Sequence, residues 1–467
     1  MKKLLLLFAL LMLSAGLAHA QGNRELNTLP TPENNQIVYR SSDHQKITPF
    51  SASGFGVTYN DDQSTYDTEA DYGVITFDGN VATIGTDAFR DCTTLTAIVW
   101  PNTVTSIGYR AFKSCASIAE ITIPNTVTSI GLGAFAGCTN LSTINLQEGI
   151  TSIEREAFVG CAGMEELTIP STVTSIGYCA FSGWQNLTKL TVKADSIGNN
   201  AFQNCTNLSS IDLQEGVTSI GGSAFYGCAG MAELTIPSTV TSIGGGAFDG
   251  WTTLTKLTVK AGSIGNGAFR NCTNLSSIDL QEGVTGIGND AFNGCASMTE
   301  LTIPSTVTSI GNYAFNGCAG MAELTIPSTI NTIGEGAFSN WTALNKLIIH
   351  TGSIGANAFQ NCSNVTSITF LGYVVLDNVS FNTIGTAESP VALKIPSAWL
   401  ITDKPVNSTP PWHGGYFNCE YTDPVKEFLG SLGTKQNGPA VKVTDKDDNE
   451  IILYAPKKVE YIKVKEN

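Results

Sequence analysis

The stretch MTELTIPSTVTSIGNYAFNGCAG, Met298 to Gly320, is followed at once by MAELTIPSTINTIGEGAFSNWTA, Met321 to Ala343. An Ala-Phe pair marks each copy of this repeat. The phenylalanines are Phe89, Phe112, Phe135, Phe158, Phe181, Phe202, Phe225, Phe248, Phe269, Phe292, Phe315, Phe338 and Phe359, and a Ser-Phe pair supplies Phe381. Successive copies are 23 residues apart, except for three steps of 21 and a last step of 22. A fixed period in the twenties predicts a solenoid, in which each unit buries its apolar face only against its neighbours.

Each copy of the repeat divides into three parts. The first part reads L-x-x-I-x-I, and its alternation of polar and β-branched apolar residues predicts a strand. Strands one copy apart are expected to pair in parallel at about 4.8 Å. The second part, V-T-x-I-G, is expected to be extended and to end at a turn-forming glycine such as Gly131, Gly221 or Gly311. The third part, x-x-A-F-x-x-C, is expected to form a short helical turn on the opposite, convex side.

The repeat resembles the leucine-rich repeats of the BspA-like bacterial surface antigens. The usual line of that family is L-x-x-I-x-I-P-x-x-V-x-x-I-G-x-x-A-F-x-x-C, and Leu95 to Cys362 follow it almost letter for letter. The resemblance implies an α/β solenoid, a right-handed superhelix with a parallel sheet, mostly strands and short helical turns, in about 14 coils. Members of the family are exported or cell-surface proteins, and some attach to host matrix proteins or to neighbouring cells. The family is defined by its scaffold, so the resemblance does not name a ligand.

The first 20 residues have the features of a secretory signal peptide. Two lysines precede the apolar run Leu4 to Leu13, and Ala-His-Ala at residues 18–20 supplies a cleavage site. The apolar run is too short to span a membrane. The predicted cleavage site has no cysteine, so the sequence does not predict a lipid anchor. The mature protein is therefore predicted to be exported to the cell surface or secreted, with the periplasm as the alternative.

The rest of the chain is divided by where the repeat begins and fades. Residues 21–72 lack the repeat and are predicted to form an N-terminal cap, with a hairpin made by NQIVYR and KITPF. The leucine-rich repeat domain is predicted to span residues 73–397. Residues 398–422, rich in Pro and Gly, are predicted to be a C-terminal cap or linker. Residues 423–467 are predicted to be a small β module of unknown role, in which AVKVT and IILYAP form a hairpin.

The charge of the chain limits its partners. Charged residues make up 14% of the sequence and the formal net charge is −15. Such a surface repels nucleic acid and anionic membrane, so neither is an expected partner. Beyond the signal peptide no stretch is apolar enough to span a membrane. The expected partner is an extracellular protein or glycan, and the sequence fixes neither its identity nor the oligomeric state.

Catalysis finds little support in the sequence. The mature chain has three histidines, His44, His350 and His413, which lie too far apart along a solenoid for a triad or a metal cluster. The acidic runs Asp61 to Gly73 and Asp445 to Glu450 are interpreted as a solvated loop and a hairpin turn, with calcium binding as the alternative for each. We therefore expect no enzyme, no cofactor and no metal site.

Ten of the twelve cysteines occupy the last position of the repeat. They are Cys92, Cys115, Cys138, Cys161, Cys205, Cys228, Cys272, Cys295, Cys318 and Cys362. They are interpreted as buried apolar thiols, because three other copies carry tryptophan at the same position. Disulfides between neighbouring coils are the alternative, since an exported protein favours them. The two cysteines outside this column, Cys179 and Cys419, are predicted to be the more reactive.

The three tryptophans, Trp184, Trp251 and Trp341, are each followed by a loop two residues shorter, which lacks the usual Pro and Val. We expect each indole ring to fill the volume that the valine vacates. The alternative is an exposed platform that stacks on sugar rings, and burial of the rings would exclude it.

The outward positions of the predicted strands supply a candidate binding face. Neighbouring strands place Glu beside Lys in three pairs, and Thr or Asp fills the next outward position. The residues of this face are Glu166, Lys189, Thr191, Asp212, Glu233, Thr235, Lys256, Thr258, Asp279, Glu300, Glu323 and Lys346. The alternative is a soluble sheet face whose charges neutralise one another. Because the face lacks aromatic and Arg anchors, binding there is expected to be weak and multivalent.

Together these patterns favour an exported, non-catalytic binding protein. We expect an adhesin-like cell-surface protein that recognises a host or microbial protein or glycan. The alternative is a structural or scaffolding protein of the bacterial cell envelope. The sequence does not fix the mode of anchoring or the role of residues 423–467.

Overall fold

The structure is a computed structural model that describes residues 29–228, 231–260, 262–350, 352–371, 374–376, 380–381, 384, 391–394, 417–420, 440–444 and 450–454. The predicted signal peptide and the acidic turn at residues 445–449 lie outside these ranges. The chain divides into two compact units, Met1–Gly230 and Met231–Asn467, which are described in turn.

The first unit begins with an antiparallel sheet. The strand Gln36–Ser41 lies between Tyr72–Phe77 and Leu95–Val99 and is antiparallel to both. The strand Tyr59–Asp67 forms a hairpin with Tyr72–Phe77, so the acidic run is a strand and turn. The predicted hairpin of NQIVYR with KITPF is therefore wrong, because residues 46–50 form no strand and the partners of Gln36–Ser41 come later in the chain.

The 3-10 helix Ala52–Phe55 covers the first coil. The ring of Phe55 lies 5.7 Å from that of Phe89, the first phenylalanine of the repeat. A Cβ on Gly85 would lie 1.3 Å from the carbonyl oxygen of Gly54, so only glycine allows the two backbones to approach this closely. The 3-10 helix of the N-terminal segment therefore packs directly on the first coil of the repeat.

Each coil of the first unit contributes a longer strand and a short strand, which we call the face strand and the short strand. The face strands are Leu95–Val99, Glu120–Thr122, Thr143–Asn145, Glu166–Ile169, Lys189–Val192 and Ser210–Leu213. The short strands are Thr83–Ile84, Ser106–Ile107, Ser129–Ile130, Ser152–Ile153, Ser175–Ile176, Ser196–Ile197 and Ser219–Ile220. Successive short strands pair in parallel, as predicted, with each Ile facing the Ile of the next coil.

The second unit repeats this arrangement. Its face strands are Glu233–Ile236, Lys256–Val259, Ser277–Leu280, Glu300–Leu301, Glu323–Ile326, Lys346–Ile349, Ser367–Phe370, Val391–Lys394, Phe417–Glu420 and Ala440–Thr444. The short strands are Ser242–Ile243, Gly262–Ile264, Val284–Ile287, Ser309–Ile310, Thr332–Ile333, Gly352–Ile354 and Val374–Leu376. The last strand, Glu450–Tyr454, pairs antiparallel with Ala440–Thr444, which is the hairpin predicted for the tail.

Phenylalanine rings form the centre of both units. The Ala-Phe residues are buried, and the rings of neighbouring coils stack nearly parallel, as for Phe112 and Phe135, whose centroids are 5.1 Å apart. In the second unit the same stack runs from Phe248 to Phe381. Such a pair contributes about 0.5–1.5 kcal/mol beyond its burial. Each coil is therefore stabilised chiefly by the coils next to it.

The predicted helical turns, and with them the α/β class, need correction. The segments around the Ala-Phe pairs are turns, and the helix content of the described residues is limited to Ala52–Phe55. Alternate amides leave their own coil: the N–H groups of Arg110, Phe112 and Ser114 donate to carbonyls of the next coil at 2.7–3.0 Å. Arg110 and Ser114 have φ of 51° and 62°, which a right-handed helix does not allow. The repeats form about twelve turns of a parallel-sheet β-solenoid, and the expected count of about 14 is not confirmed.

Candidate binding face

The outward residues of the face strands lie in two rows. In Glu166–Ile169 the first and third side chains are exposed and the second and fourth are buried, as period-two alternation predicts. Glu166 lies directly opposite Lys189, and Thr168 lies opposite Thr191. On the next strand Ser210 follows Lys189, and Asp212 follows Thr191. The first unit thus presents a row of Glu, Lys and Ser beside a row of Thr, Thr and Asp.

The second unit presents the same two rows. Glu233 faces Lys256 and Thr235 faces Thr258. Ser277 and Asp279 continue the rows on the next strand. Glu300 lies opposite Ser277, and further along the unit Glu323 lies opposite Lys346. Every residue of the predicted face in this unit is therefore an outward residue of a face strand.

The predicted Glu–Lys pairs form. The Lys Nζ to Glu Oε2 distance is 3.2 Å for Lys189 and Glu166, 3.7 Å for Lys256 and Glu233, and 3.0 Å for Lys346 and Glu323. All six side chains are largely exposed, so each pair stabilises the fold by well under about 1 kcal/mol. A ligand that carries its own charges can therefore replace these pairs at little cost.

Two glutamines belong to the face although they were not predicted there. The amide of Gln214 donates to Asp212, and that of Gln281 donates to Asp279 at 3.0 Å. Each bond orients a carboxylate on the outer row. The repeated letters IDLQEG around both residues are the sequence signal that identifies them.

Two consecutive stretches of three coils are closely similar in sequence. Residues 164–230 and 231–297 align without a gap and differ at fourteen positions. We call these two stretches module one and module two. Ten of the differences lie around the Ala-Phe pairs, at residues 178, 179, 182, 185, 186, 200, 203, 222, 223 and 226 of module one. The face residues of the two rows are identical in both modules.

The ladder of face strands is interrupted in both units, and the second interruption lies one coil beyond the end of module two. In the first unit Thr143–Asn145 does not pair with Glu166–Ile169, and in the second Glu300–Leu301 does not pair with Glu323–Ile326. Each break follows a Cys-Ala-Gly-Met segment. A Cβ on Gly163 would lie 2.7 Å from the carbonyl oxygen of Leu141, and one on Gly320 would lie 2.6 Å from that of Met298. These glycines let the coils approach closely where the ladder is interrupted.

The cysteine column is buried in the core, away from the face. Its described members are free thiols, all of them fully buried except Cys92. From Cys115 onward each thiol donates to the carbonyl oxygen of a phenylalanine in the preceding coil, at Sγ–O distances of 2.9–3.5 Å. Burial raises the pKa of Cys92 to about 11 and that of Cys362 to about 12. These thiols therefore stay protonated and unreactive at neutral pH.

The three tryptophans are core residues. Trp184, Trp251 and Trp341 are at most 1% exposed, which excludes them as sugar platforms. The indole Nε1 of Trp341 donates to the carbonyl oxygen of Phe315 at 2.6 Å, so tryptophan uses the same kind of acceptor as the thiols. The position selects an apolar side chain that carries one donor.

The other candidate residues are scattered. His44 lies 2.7 Å from Asp71 in the N-terminal sheet, His350 lies in the second unit, and His413 is outside the described residues. Cys179 is half-buried, and the side chain of Cys419 lies outside the description. Within the described ranges no group of three His, Cys, Asp or Glu side chains is placed to hold a metal ion. The same ranges contain no helix of the length and apolarity needed to cross a membrane.

The chain matches a known repeat family. The model described as "BspA type Leucine rich repeat region (6 copies)" matches residues 63–188, 184–296 and 262–385. No curated protein matches. A leucine-rich repeat protein from Bacteroides ovatus is 28% identical, with 57% of this chain and 82% of that chain covered and a TM-score of 0.40. A leucine rich cell surface protein from Faecalibacterium prausnitzii is 25% identical, with 65% and 95% covered and a TM-score of 0.33.

Proposed function

Because this chain belongs to the BspA-type leucine-rich repeat family, we propose that it is an exported, non-catalytic binding protein whose face strands recognise an extracellular protein or glycan. In this proposal it acts as an adhesin at the cell surface. The candidate face consists of the outward rows of Glu, Lys, Ser, Thr and Asp described above.

The strongest support for the face comes from comparing the two modules. Their sequences differ mainly around the Ala-Phe pairs, whereas the residues of the two rows are identical. Exposed residues around the Ala-Phe pairs have changed, for example Tyr178 to Gly245 and Tyr226 to Asn293. Exposed residues of the two rows are the same in both modules: Glu166 corresponds to Glu233, and Asp212 corresponds to Asp279. If solubility were the only requirement, the exposed residues of both sides would be expected to differ between the modules to a similar extent. A ligand that needs the rows accounts for the difference.

The chemistry of each module suits a polar partner. Strands about 4.8 Å apart and outward residues about 7 Å apart along a strand give a small patch with one cation, two anions and several hydroxyl groups. The patch has no aromatic residue, so one module binds weakly. Two modules with identical rows provide two equivalent subsites, and a partner with repeated groups gains affinity from engaging both.

The binding experiment uses the full chain and arrays of host matrix proteins and glycans. Lys189→Ala with Lys256→Ala removes the cation of both modules, and we expect the signal on the recognised ligand to fall at least about tenfold. Either single variant should retain part of it. The matched control is Gln185→Thr with Asn186→Thr, which gives module one the residues of module two on the opposite side and should bind as the wild type does. Equal binding by the double lysine variant and the wild type would refute the proposed face.

Location is tested separately by protease accessibility on intact cells. Cleavage of the protein, with a periplasmic control left intact, is the expected result for an adhesin. Protection until the envelope is broken would instead favour a scaffolding protein of the envelope.

A further inference from the structure

A second surface of the first unit, on the side of its Ala-Phe turns, combines exposed aromatic rings with arginines. The guanidinium carbon lies 5.3 Å from the ring centroid for Arg90 and Phe50, 4.5 Å for Arg110 and Tyr109, and 4.9 Å for Arg155 and Tyr178. The three rings are exposed by 61%, 36% and 45%. We call these six residues the aromatic–arginine strip.

The strip extends over five consecutive coils, of which the middle one contributes no member. Backbone hydrogen bonds connect these coils in order: Asp87 N to Tyr109 O, Arg110 N to Leu132 O, Gly133 N to Arg155 O, and Glu156 N to Tyr178 O, at 2.8–3.0 Å. Four steps of about 4.8 Å give the strip a length of about 19 Å. This length fits a short segment of extended peptide.

Arg110 occupies the position before the Ala-Phe pair, which has a positive φ in each described coil of this unit. Its φ is 51°, and that of Gly133 in the next coil is 60°. Glycine adopts this conformation without steric cost, so Arg110→Gly removes the side chain and leaves an allowed backbone conformation.

Charge distinguishes Arg110 from the other two arginines of the strip. Arg90 pairs with Asp91 at 3.1 Å and Arg155 pairs with Glu156 at 2.9 Å. Arg110 and its neighbour Lys113 make no ion pair with any residue that the structure describes. A highly sulfated glycan would require a uniformly basic surface, which the paired arginines do not offer. One unpaired guanidinium against an exposed tyrosine ring fits a single carboxylate beside an apolar group.

We propose that the aromatic–arginine strip docks a peptide segment of another protein that carries an Asp or Glu next to apolar side chains. Arg110 and Lys113 bind the carboxylate. Tyr109 and Tyr178 contact the apolar side chains, in keeping with the enrichment of Tyr and Arg at interface hot spots. This surface is separate from the face strands, and its residue Tyr178 is replaced by Gly245 in module two.

The test selects short random peptides displayed on phage against the full chain, followed by affinity measurements with synthetic copies. We expect enriched peptides to place Asp or Glu beside aromatic or aliphatic residues. Their affinity should fall at least about tenfold for Arg110→Gly. The thermal midpoint of that variant should stay equal or rise, because glycine relieves the strain. The control Gln185→Thr lies on the same side, outside the strip, and should bind unchanged.

Three outcomes would overturn the proposal: no enrichment of acidic peptides, equal affinity for wild type and Arg110→Gly, or a fall in affinity for a sulfated glycan but not for the peptides. The last outcome would assign the strip to a glycan.

Discussion

The indole Nε1 of Trp184 donates to the carbonyl oxygen of Phe158 at 2.7 Å, in the place where Cys161 of the preceding coil donates its thiol to Phe135. A phenylalanine carbonyl oxygen thus accepts a hydrogen bond from either a thiol or an indole of the following coil. The prediction that the ring fills the volume left by the shorter loop is tested by the following variants.

Trp184→Ala is expected to destabilise the first unit by about 3–5 kcal/mol, because it leaves a large cavity. Trp184→Phe should cost less, since it keeps most of the apolar volume and loses one hydrogen bond of about 1 kcal/mol. Urea unfolding followed by circular dichroism measures both. Gln185→Thr is the neighbouring control and should be neutral. Equal stability of the Ala variant and the wild type would show that the ring does not fill the core.

Thiol labelling should distinguish Cys179 from the buried column. In the native protein we expect a maleimide reagent to modify Cys179 first, because it is half-buried and outside the column. Cys92 should react slowly, since burial raises its pKa to about 11 and little thiolate is present at neutral pH. Cys179→Gly supplies the residue of module two and should remove the fast phase. Native labelling of Cys138 at a comparable rate would contradict the buried column.

The pair Asp249 and Arg270 offers a test of exchange between modules. The Asp249 side chain is 5% exposed and its Oδ2 lies 2.6 Å from Nη2 of Arg270, while module one has Ser182 and Gln203 at these positions. Arg270→Gln alone should cost about 2 kcal/mol, because a buried carboxylate loses its cation. Adding Asp249→Ser should restore most of the loss. Thermal unfolding of the single and double variants measures the coupling, and additive losses would contradict it.

Asp71 should make the N-terminal sheet sensitive to acid. Its burial alone would raise the pKa of the carboxyl, but hydrogen bonds from Tyr66 and His44 and the charge of Arg40 outweigh this and hold the pKa below its usual value. The stabilisation is therefore present above the unfolded-state pKa of about 3.9 and is lost as the pH falls through the lower folded-state value. Asp71→Asn should speed amide exchange in Gln36–Ser41 at neutral pH, and the difference should disappear in acid.

The control for this experiment is Asp62→Asn, an exposed residue of the adjacent strand. It should exchange as the wild type does at every pH. A difference between Asp71→Asn and wild type that stays constant down to strong acid would show that the Asp71 charge is not responsible.

Much of this fold can be predicted from the sequence, because the alternation of outward polar and inward apolar residues recurs in each copy of the repeat. Period-two spacing placed Glu166 and Lys189 on the outside and their neighbours Leu167 and Leu190 in the core, and the structure confirms both. The substitution of Trp184 for cysteine likewise identified a buried position. Both predictions depend on local pattern repeated many times.

The incorrect predictions of helical turns and of the N-terminal hairpin have one physical cause. The backbone groups of these segments form hydrogen bonds with residues that are distant in sequence. Arg110 and Cys179 have a positive φ although neither is glycine, the residue type that would have predicted this conformation. These segments therefore had the pattern of helical turns but form other turns. The partners of Gln36–Ser41 are 34 to 61 residues away in sequence, beyond the reach of a hairpin pattern. The similarity of the two modules is seen only when segments of 67 residues are aligned, whereas the Ala-Phe pair marks single coils.

The stack of phenylalanine rings has a consequence for how such a protein changes over generations. Each ring needs only another ring on either side, so adding or deleting a whole module returns every coil to a neighbour of the same type. Duplication or loss of a 67-residue module is therefore expected to be tolerated by folding. The number of binding patches on the chain can vary between strains as a heritable quantity, without a single substitution in the patch itself.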